Sequence, residues 1–185
     1  MPNKTSRLII LDRDGVINED LWGYVTKNEE FNLIDGSLEA IASLTDAGFH
    51  IAVATNQACI NRKIINKKQL DKIHDHMIAL IETAGGRINY IACCPHFPEE
   101  NCSCRKPETG LLQKIEENYG GSLENSFFIG DKESDIVCAT RYGCIPLLVK
   151  TGYGIHVLSS KLCPPQEQCF DNLSAAVSYV LKACE

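Results

Sequence analysis

Residues 8–18 read LIILDRDGVIN, and this stretch decides the fold class of the chain. Its first four residues are apolar and partly β-branched, which predicts a short buried strand. Asp12 and Asp14 follow that strand directly and flank a single residue. In extended backbone such residues point the same way, so we expect the two carboxylates to favour a cation between or beside them. An Asp-rich turn explains the same residues if they are taken alone.

Outward from this stretch, strand-like and helix-like segments alternate along the chain. Apolar runs predict further strands at residues 51–54, 88–93, 127–129 and 145–149. Helical periodicity and capping residues predict helices over residues 38–48, 66–84, 107–120, 131–143 and 173–184. Alternation of this kind predicts an α/β fold, a Rossmann-like parallel sheet with helices on both faces. Ligands of such sheets lie beyond the carboxyl ends of the strands.

Length and composition predict one globular domain over residues 1–185, since 44% of the residues are hydrophobic and 23% are charged. Lys and Arg total 18 against 24 Asp and Glu, and the resulting charge of −6 disfavours nucleic acid and anionic membranes as partners. No apolar run approaches the ~18 residues of a transmembrane helix, and residues 1–7 do not resemble a signal peptide. We therefore expect a cytoplasmic protein that acts as a monomer.

Polar residues follow the other predicted strands as well. Thr55-Asn56-Gln57 comes after the second strand, and its neutral donors suit an anion. Arg105 and Lys106 precede Pro107, which we place at the first position of a helix, so that two cations adjoin a helix N-terminus. Asp131 and Asp135 follow the fourth strand, four residues apart, and are expected to share one helical face. Each motif alone has a plain structural explanation, but their order, strand after strand, makes the pattern specific.

One loop carries a second kind of site. Cys94, His96, Cys102 and Cys104 are spaced as C-x-H, five residues, C-x-C, which suits a closed tetrahedral zinc site of structural type. The chain holds ten cysteines, and in a reducing compartment such a cluster indicates a metal rather than disulfides. Cys93 is the alternative to Cys94, and we prefer Cys94 because Cys93 is predicted to close the third strand. A chance cluster in a cysteine-rich chain is the competing explanation.

The motifs at the strand ends resemble the four motifs of the haloacid dehalogenase superfamily of phosphatases, over about residues 7–150. The resemblance implies that Asp12 is the nucleophile, and that Asp14 protonates the leaving oxygen and then deprotonates the attacking water. It implies that Asp12, Asp131 and the backbone carbonyl of Asp14 hold a catalytic Mg²⁺. It also implies that Thr55 and Lys106 grip the phosphoryl oxygens.

The cysteine loop narrows the resemblance to the branch that contains heptose 1,7-bisphosphate phosphatases and histidinol-phosphate phosphatases. DRDGVIN, followed by Gly23-Tyr24-Val25, is more similar to the heptose family. The implied activity is removal of the 7-phosphate of D-glycero-D-manno-heptose 1,7-bisphosphate, in lipopolysaccharide-core or nucleotide-heptose synthesis. Histidinol-phosphate phosphatase is the alternative.

The resemblance also implies substrate contacts. Arg105 is expected to recognise the second phosphate or the sugar, Lys132 to add a phosphate contact, and Asp135 to orient Lys106 or a metal-bound water. The remaining residues expected to bind substrate are Asn18, Asp20, Gly23, Tyr24, Asn56 and Gln57.

Two segments depart from the family pattern. The family usually continues Thr-Asn-Gln with Ser-Gly-Ile-Ala-Arg-Gly, whereas residues 58–63 read ACINRK and lack both glycines that allow a positive φ. The segment between Asp20 and Gly23 is one residue longer than usual. The 43 residues from Asp12 to Thr55 and the 51 from Thr55 to Lys106 leave no room for a cap domain, so we expect an open site. A zinc-stapled binding module without catalysis is the alternative of another class.

Overall fold

The computed structural model describes residues 7–184, in which six strands alternate with six helices. The strands are β1 (Leu8–Leu11), β2 (His50–Asn56), β3 (Tyr90–Cys94), β4 (Phe127–Gly130), β5 (Ile145–Val149) and β6 (Cys169–Phe170). The helices are α1 (Ser37–Asp46), α2 (Lys67–Thr83), α3 (Gly110–Tyr119), α4 (Glu133–Tyr142), α5 (Gly154–Val157) and α6 (Leu173–Ala183). Short 3₁₀ helices lie at Asn28–Glu30, Pro98–Glu100 and Gln166–Gln168.

All six strands pair in parallel, in the order β3-β2-β1-β4-β5-β6. The order reverses between β1 and β4, so the chain leaves these two neighbouring strands in opposite directions. A crevice opens at such a switch point, beyond the carboxyl ends of the strands. Leu11 is in register with Ile129, and this pairing brings the residues that follow β1 and β4 side by side.

Alternate residues of the central strands face two separate hydrophobic cores. Ile9 and Leu11 of β1 face a core shared with α1, α2 and α6, whereas Leu8 and Ile10 face a core shared with α3 and α4. Both faces of the sheet are therefore buried, which is why these strands are continuous apolar runs rather than alternating ones. The predicted α/β fold with helices on both faces is confirmed.

The start of α2 follows the sequence signal closely. The Asn66 side chain accepts a hydrogen bond from the backbone N–H of Gln69, and the Gln69 side chain accepts one from the backbone N–H of Asn66. This reciprocal pairing is a capping box, which satisfies two N–H groups that have no partner inside the helix.

Several predicted boundaries are wrong. Strand β2 runs through Asn56, so Thr55 and Asn56 are its last residues rather than the start of the following loop. Helix α3 begins at Gly110, not at Pro107, because residues 105–109 form a turn closed by a hydrogen bond from Glu108 N to Arg105 O. Strand β3 runs over Tyr90–Cys94 rather than 88–93, and Asn89 pairs with Ile51 through its side chain as well as its backbone. Cys94, not Cys93, therefore closes the strand.

No cap domain is inserted between the strands of residues 7–184, as the motif spacing predicts. In the same range, no helix has the length and the apolar character that crossing a membrane requires.

Candidate active site

Asp12 lies at the end of β1, at the bottom of a cleft of about 1150 Å³. Its carboxylate is 2.9 Å from the Lys106 ammonium, which also lies 2.7 Å from Asp135. All three side chains are buried. Burial raises the pKa of Asp12, an effect that Asp135 adds to and that Lys106 opposes. Burial acts on Lys106 in the opposite sense, but Asp12 and Asp135 outweigh it and raise the pKa of this lysine, which stays protonated.

Hydrogen bonds hold both the backbone and the ammonium of Lys106. Its ammonium donates to the carbonyl of Ala54 at 2.7 Å. The Asn56 side chain accepts from the Lys106 backbone N–H and donates to its carbonyl, both at 3.1 Å. These contacts fix the cation beside Asp12 without the helix N-terminus that the sequence suggested.

Asp131 enters the same cluster from the end of β4. It precedes α4, which begins at Glu133, so the prediction that Asp131 and Asp135 share a helical face is wrong. The Asp135 side chain instead turns back to accept from the backbone N–H of Lys132 at 3.0 Å. A side chain at Gly130 would overlap Asp135, so only glycine allows the turn that brings the two carboxylates together.

The chemistry of this cluster fits a hard divalent cation. One carboxylate oxygen each from Asp12, Asp131 and Asp135 lies within 4.8 Å of the others. Burial raises the pKa of Asp131 to about 8, an effect that Lys132 opposes and that Asp12 and Asp135 reinforce. The Lys132 ammonium contacts Asp131 Oδ1 at 3.2 Å and the Asp14 carbonyl at 3.3 Å, so two of the expected Mg²⁺ ligands already converge on one cation.

The Asp14 carboxylate lies outside the cluster of carboxylates that Asp12 forms with Asp131 and Asp135. The residue between Asp12 and Asp14, Arg13, takes the Asp14 carboxylate in a bidentate contact of 2.8 and 2.9 Å from Nη2. Burial raises the pKa of Asp14, but the charge of Arg13 and its hydrogen bonds outweigh this effect, and the net shift is downward. Asp14 is therefore ionised at rest, with its edge exposed to the cleft.

Asn18 and Gln57 lie behind Asp14 rather than along the cleft. Asn18 donates to Asp14 Oδ1 at 2.9 Å, and Gln57 donates to Asp14 Oδ2 at 2.7 Å and to the Thr55 hydroxyl at 2.9 Å. Both side chains are buried and neither lines the cleft, so the structure does not support direct sugar contact by these two residues. Their amides orient the groups that face the substrate.

The four predicted zinc ligands come together on the loop after β3. Five of the six distances among the three sulfurs and the His96 Nδ1 run from 3.2 to 3.7 Å, and all four atoms lie within 4.8 Å of one another. Four ligands about 2.0–2.3 Å from one ion form a tetrahedron with edges of roughly 3.5–3.8 Å. The donor set and its spacing thus fit one tetrahedral Zn²⁺. Cys93, the alternative ligand, lies on the opposite face of the sheet and lines a second cavity.

This Cys/His cluster also holds Arg105 at the mouth of the cleft. The backbone N–H of Arg105 donates to the Cys102 sulfur at 3.3 Å, and its Nη1 donates to the carbonyl of His96 at 2.9 Å. Arg105 directly precedes Lys106, so the cluster and this lysine belong to one short stretch.

The opposite wall of the cleft is aromatic. Trp22 is 63% exposed and packs against Tyr153, with ring centroids 4.3 Å apart. Lys132 lies 5.1 Å from the Tyr153 ring and 3.0 Å from Asp20. Asp20, Gly23, Tyr24, Asn56, Arg105 and Lys132, all expected to bind substrate, line the cleft.

Sequence reasoning missed the contribution of β5 to the site. The backbone N–H of Tyr153 donates to Asp131 Oδ2 at 2.8 Å, and the Thr151 hydroxyl donates to the Gly15 carbonyl at 2.6 Å. The signal was available, because Lys150-Thr151-Gly152-Tyr153 follows a predicted strand in the same way as the other motifs do.

In the segment at residues 58–63, one residue other than glycine adopts a positive φ. Lys63 adopts φ of +57°, the left-handed region that the family's glycine would enter without strain. Its backbone N–H bonds to Ile60 O at 2.9 Å, so the turn forms in spite of the lysine.

A HAD-hydrolase-like family model matches residues 103–176 of the chain. The chain is 42% identical over 175 residues to the D-glycero-beta-D-manno-heptose-1,7-bisphosphate 7-phosphatase of Pseudomonas aeruginosa, covering 95% of this chain and 98% of that one. It is 44% identical over 169 residues to the enzyme of the same name from Pseudomonas putida, covering 91% and 96%.

A solved structure shows the same architecture. The D,D-heptose 1,7-bisphosphate phosphatase from B. bronchiseptica, complexed with magnesium and phosphate, aligns with a TM-score of 0.91 at 37% identity. The alignment covers 95% of this chain and 98% of that one.

Proposed function

The chain belongs to the D-glycero-D-manno-heptose-1,7-bisphosphate 7-phosphatase family of haloacid dehalogenase-like hydrolases, and we propose that it removes the 7-phosphate of D-glycero-β-D-manno-heptose 1,7-bisphosphate. The β anomer is proposed because the two Pseudomonas relatives carry it in their names. The reaction is hydrolysis of a phosphoric monoester, and the product is the heptose 1-phosphate with inorganic phosphate.

The observation that carries the proposal is the position of Asp12. It is a buried carboxylate at the bottom of the cleft, with one oxygen 2.9 Å from a fixed ammonium and with Asp14 beside it at the cleft wall. A nucleophile needs open space on one side and a positive charge that stabilises the phosphoryl oxygens on the other. Asp12 has both.

In the first step, an Asp12 oxygen attacks phosphorus while the bond from phosphorus to the sugar oxygen breaks. Asp14 gives its proton to that leaving oxygen. The phosphoryl charge of bound substrate, close to Asp14, favours the protonated form that this step needs, although Asp14 is ionised at rest. In the second step, Asp14 takes a proton from water as the water oxygen attacks the aspartyl phosphate, and Asp12 is released.

Lys106 and Thr55 would contact the transferring phosphoryl group. Asp135 holds the Lys106 ammonium at 2.7 Å and keeps it pointed at Asp12. Asp12, Asp131 and the Asp14 carbonyl would hold Mg²⁺, which when bound neutralises phosphoryl charge. We also propose that the Cys/His cluster binds Zn²⁺, which would fix Arg105 for the second phosphate or the sugar.

The two alternatives from the sequence are not favoured. Histidinol-phosphate phosphatase is not favoured because the relatives that match over most of the chain are heptose bisphosphate phosphatases. A binding module without catalysis is not supported either, since those relatives are phosphatases. Cytoplasmic location, the monomeric state and a single domain over residues 1–185 stay predictions from the sequence.

The test is phosphate release with Mg²⁺ from three substrates, namely the α and β anomers of heptose 1,7-bisphosphate and histidinol phosphate. We expect the highest kcat/KM with the β anomer, and the Asp12→Asn variant serves as the blank. A preference for the α anomer would correct the stereochemistry only. A preference for histidinol phosphate would overturn the proposed substrate.

A further inference from the structure

A charged side chain lies buried directly behind the catalytic aspartates. Arg13 is 0% exposed and is the largest fully buried side chain among residues 7–184. Besides its bidentate contact through Nη2, its Nε lies 3.2 Å from Asp14 Oδ1. The guanidinium therefore fixes both the position and the plane of the Asp14 carboxylate, as the planar donor fork of arginine allows.

The last nitrogen of Arg13 is held from another element. Arg13 Nη1 lies 3.2 Å from Nε2 of His74, which stands on α2. A guanidinium only donates hydrogen bonds, so Nε2 of His74 is the acceptor and the imidazole is neutral. Burial, with the adjacent Arg13 charge, lowers the pKa of His74 to about 4, in agreement with this neutral form.

We propose that Arg13 and His74 are positioning residues that fix the Asp14 carboxylate in the orientation from which it exchanges a proton with the leaving oxygen. The inference rests on the proposed function, in which Asp14 is the general acid and base. Without His74, Nη1 of Arg13 would be a buried donor with no partner, a state that costs free energy and is relieved when the guanidinium turns. Such a turn would move Asp14, while Asp12 and Lys106 would keep their places.

The leaving group distinguishes positioning from a general structural role. When the phosphorus–oxygen bond of a sugar phosphate breaks, the sugar oxygen must receive the Asp14 proton, since an alkoxide is a poor leaving group. p-Nitrophenolate is stable as an anion and needs little protonation. Misplacement of Asp14 should therefore slow aspartyl-phosphate formation from the sugar ester much more than from the aryl ester, whereas general damage to the site should slow both alike. The second step, in which Asp14 takes a proton from water, is common to both esters, so the comparison is made in kcat/KM, which reports the first step.

The experiment measures kcat and KM with Mg²⁺ for heptose 1,7-bisphosphate and for p-nitrophenyl phosphate in five proteins. These are the wild type, His74→Leu, His74→Gln, Arg13→Lys and Met77→Leu. His74 also lines the second cavity, of about 680 Å³ along α2 and β3, so a substitution there has room. Met77 is buried on the same helix and serves as the matched control. Arg13→Lys keeps the charge but loses the fork.

We expect His74→Leu to lower kcat/KM for the sugar ester roughly tenfold and for the aryl ester less than about twofold. His74→Gln offers Arg13 an amide oxygen and should restore most of the sugar-ester rate. Arg13→Lys should show a larger difference between the two esters than His74→Leu does. Equal losses of kcat/KM on both esters in His74→Leu, or no loss on the sugar ester, would overturn this inference and leave the proposed function standing. Wild-type turnover of the aryl ester alone would overturn both.

Discussion

The cleft has two groups of metal-ligating side chains. The floor consists of Asp12, Asp131 and Asp135, and the rim is the Cys/His cluster. The two groups are assembled over very different lengths of chain. Asp12, Asp131 and Asp135 are brought together by the pairing of β1 with β4, whereas the four ligands of the rim lie within residues 94–104. The floor is buried in full and the rim in part. The sheet fixes where the residues of the floor lie, while a local rim can change around a constant floor. The floor should therefore control kcat, and the rim should control KM and substrate choice.

The largest expected effect comes from a substitution that changes only the floor. Asp12→Asn should lower phosphate release roughly 10⁴-fold or more, because an amide cannot attack phosphorus. The fold should persist, since burial opposes the charge of Asp12 and an uncharged amide of the same shape relieves that cost. Single-turnover phosphate release and thermal unfolding check both parts. Asp71→Asn, which removes an exposed ion-pair partner of Lys67, is the control. Turnover near the wild-type rate would sink the nucleophile assignment.

The strand ends explain why the floor was predictable. Asp12 and Asp131 each follow a strand that apolar runs identify, and parallel strands deliver their carboxyl ends to one edge. Hydrophobic periodicity predicts where the backbone runs, but not which rotamer a side chain adopts. The turn of the Asp14 carboxylate toward Arg13 was therefore not predictable. The start of α3 depends on the backbone hydrogen bond from Gly110 N to Ser103 O, which no local pattern encodes.

The rim was predictable for the opposite reason. Four candidate metal ligands lie within eleven residues, so their spacing alone indicates a metal site. The elements that went unseen are very short, α5 with four residues and β6 with two, because such segments show no periodicity.

Breaking the rim should give the second-largest effect. The double variant Cys102→Ser, Cys104→Ser should lose about one zinc and lower kcat/KM for the heptose bisphosphate roughly 10- to 100-fold, since Arg105 loses its sulfur acceptor. The loss should fall mainly on KM, because Lys106 keeps its contacts with Asn56, Asp12 and Asp135. Elemental analysis and steady-state kinetics measure the two effects. Cys163→Ser with Cys169→Ser removes a cysteine pair 3.9 Å apart elsewhere and is the control. Unchanged metal content would remove the zinc assignment.

A smaller effect tests His74, which contacts Arg13 behind the floor. His74 has a folded-state pKa of about 4 against an ordinary value of 6.5. Between these values the unfolded chain binds a proton that the folded chain does not, so stability falls as pH falls through this window. Between pH 7 and pH 5 the loss should be about 2 kcal/mol, and it should be absent from His74→Gln. Urea unfolding at both pH values measures it, with Met77→Leu as a control that keeps the imidazole. Equal pH dependence in wild type and His74→Gln would contradict the neutral buried ring.

The smallest expected effect lies outside both the floor and the rim and should leave the chemistry untouched. Lys63 is exposed and has φ of +57°, a conformation that costs a side chain roughly 1–2 kcal/mol relative to right-handed backbone. Lys63→Gly removes that cost but increases the entropy of the unfolded chain, so we expect a net gain of about 0.5–1 kcal/mol in the free energy of unfolding. Asn125→Gly, at φ of +61°, should gain less because asparagine tolerates this region. Since neither residue lines the cleft, kcat should stay within about twofold in both variants. A loss of stability in Lys63→Gly would show that the lysine side chain stabilises this turn, and that the segment at residues 58–63 does not merely tolerate the missing glycines.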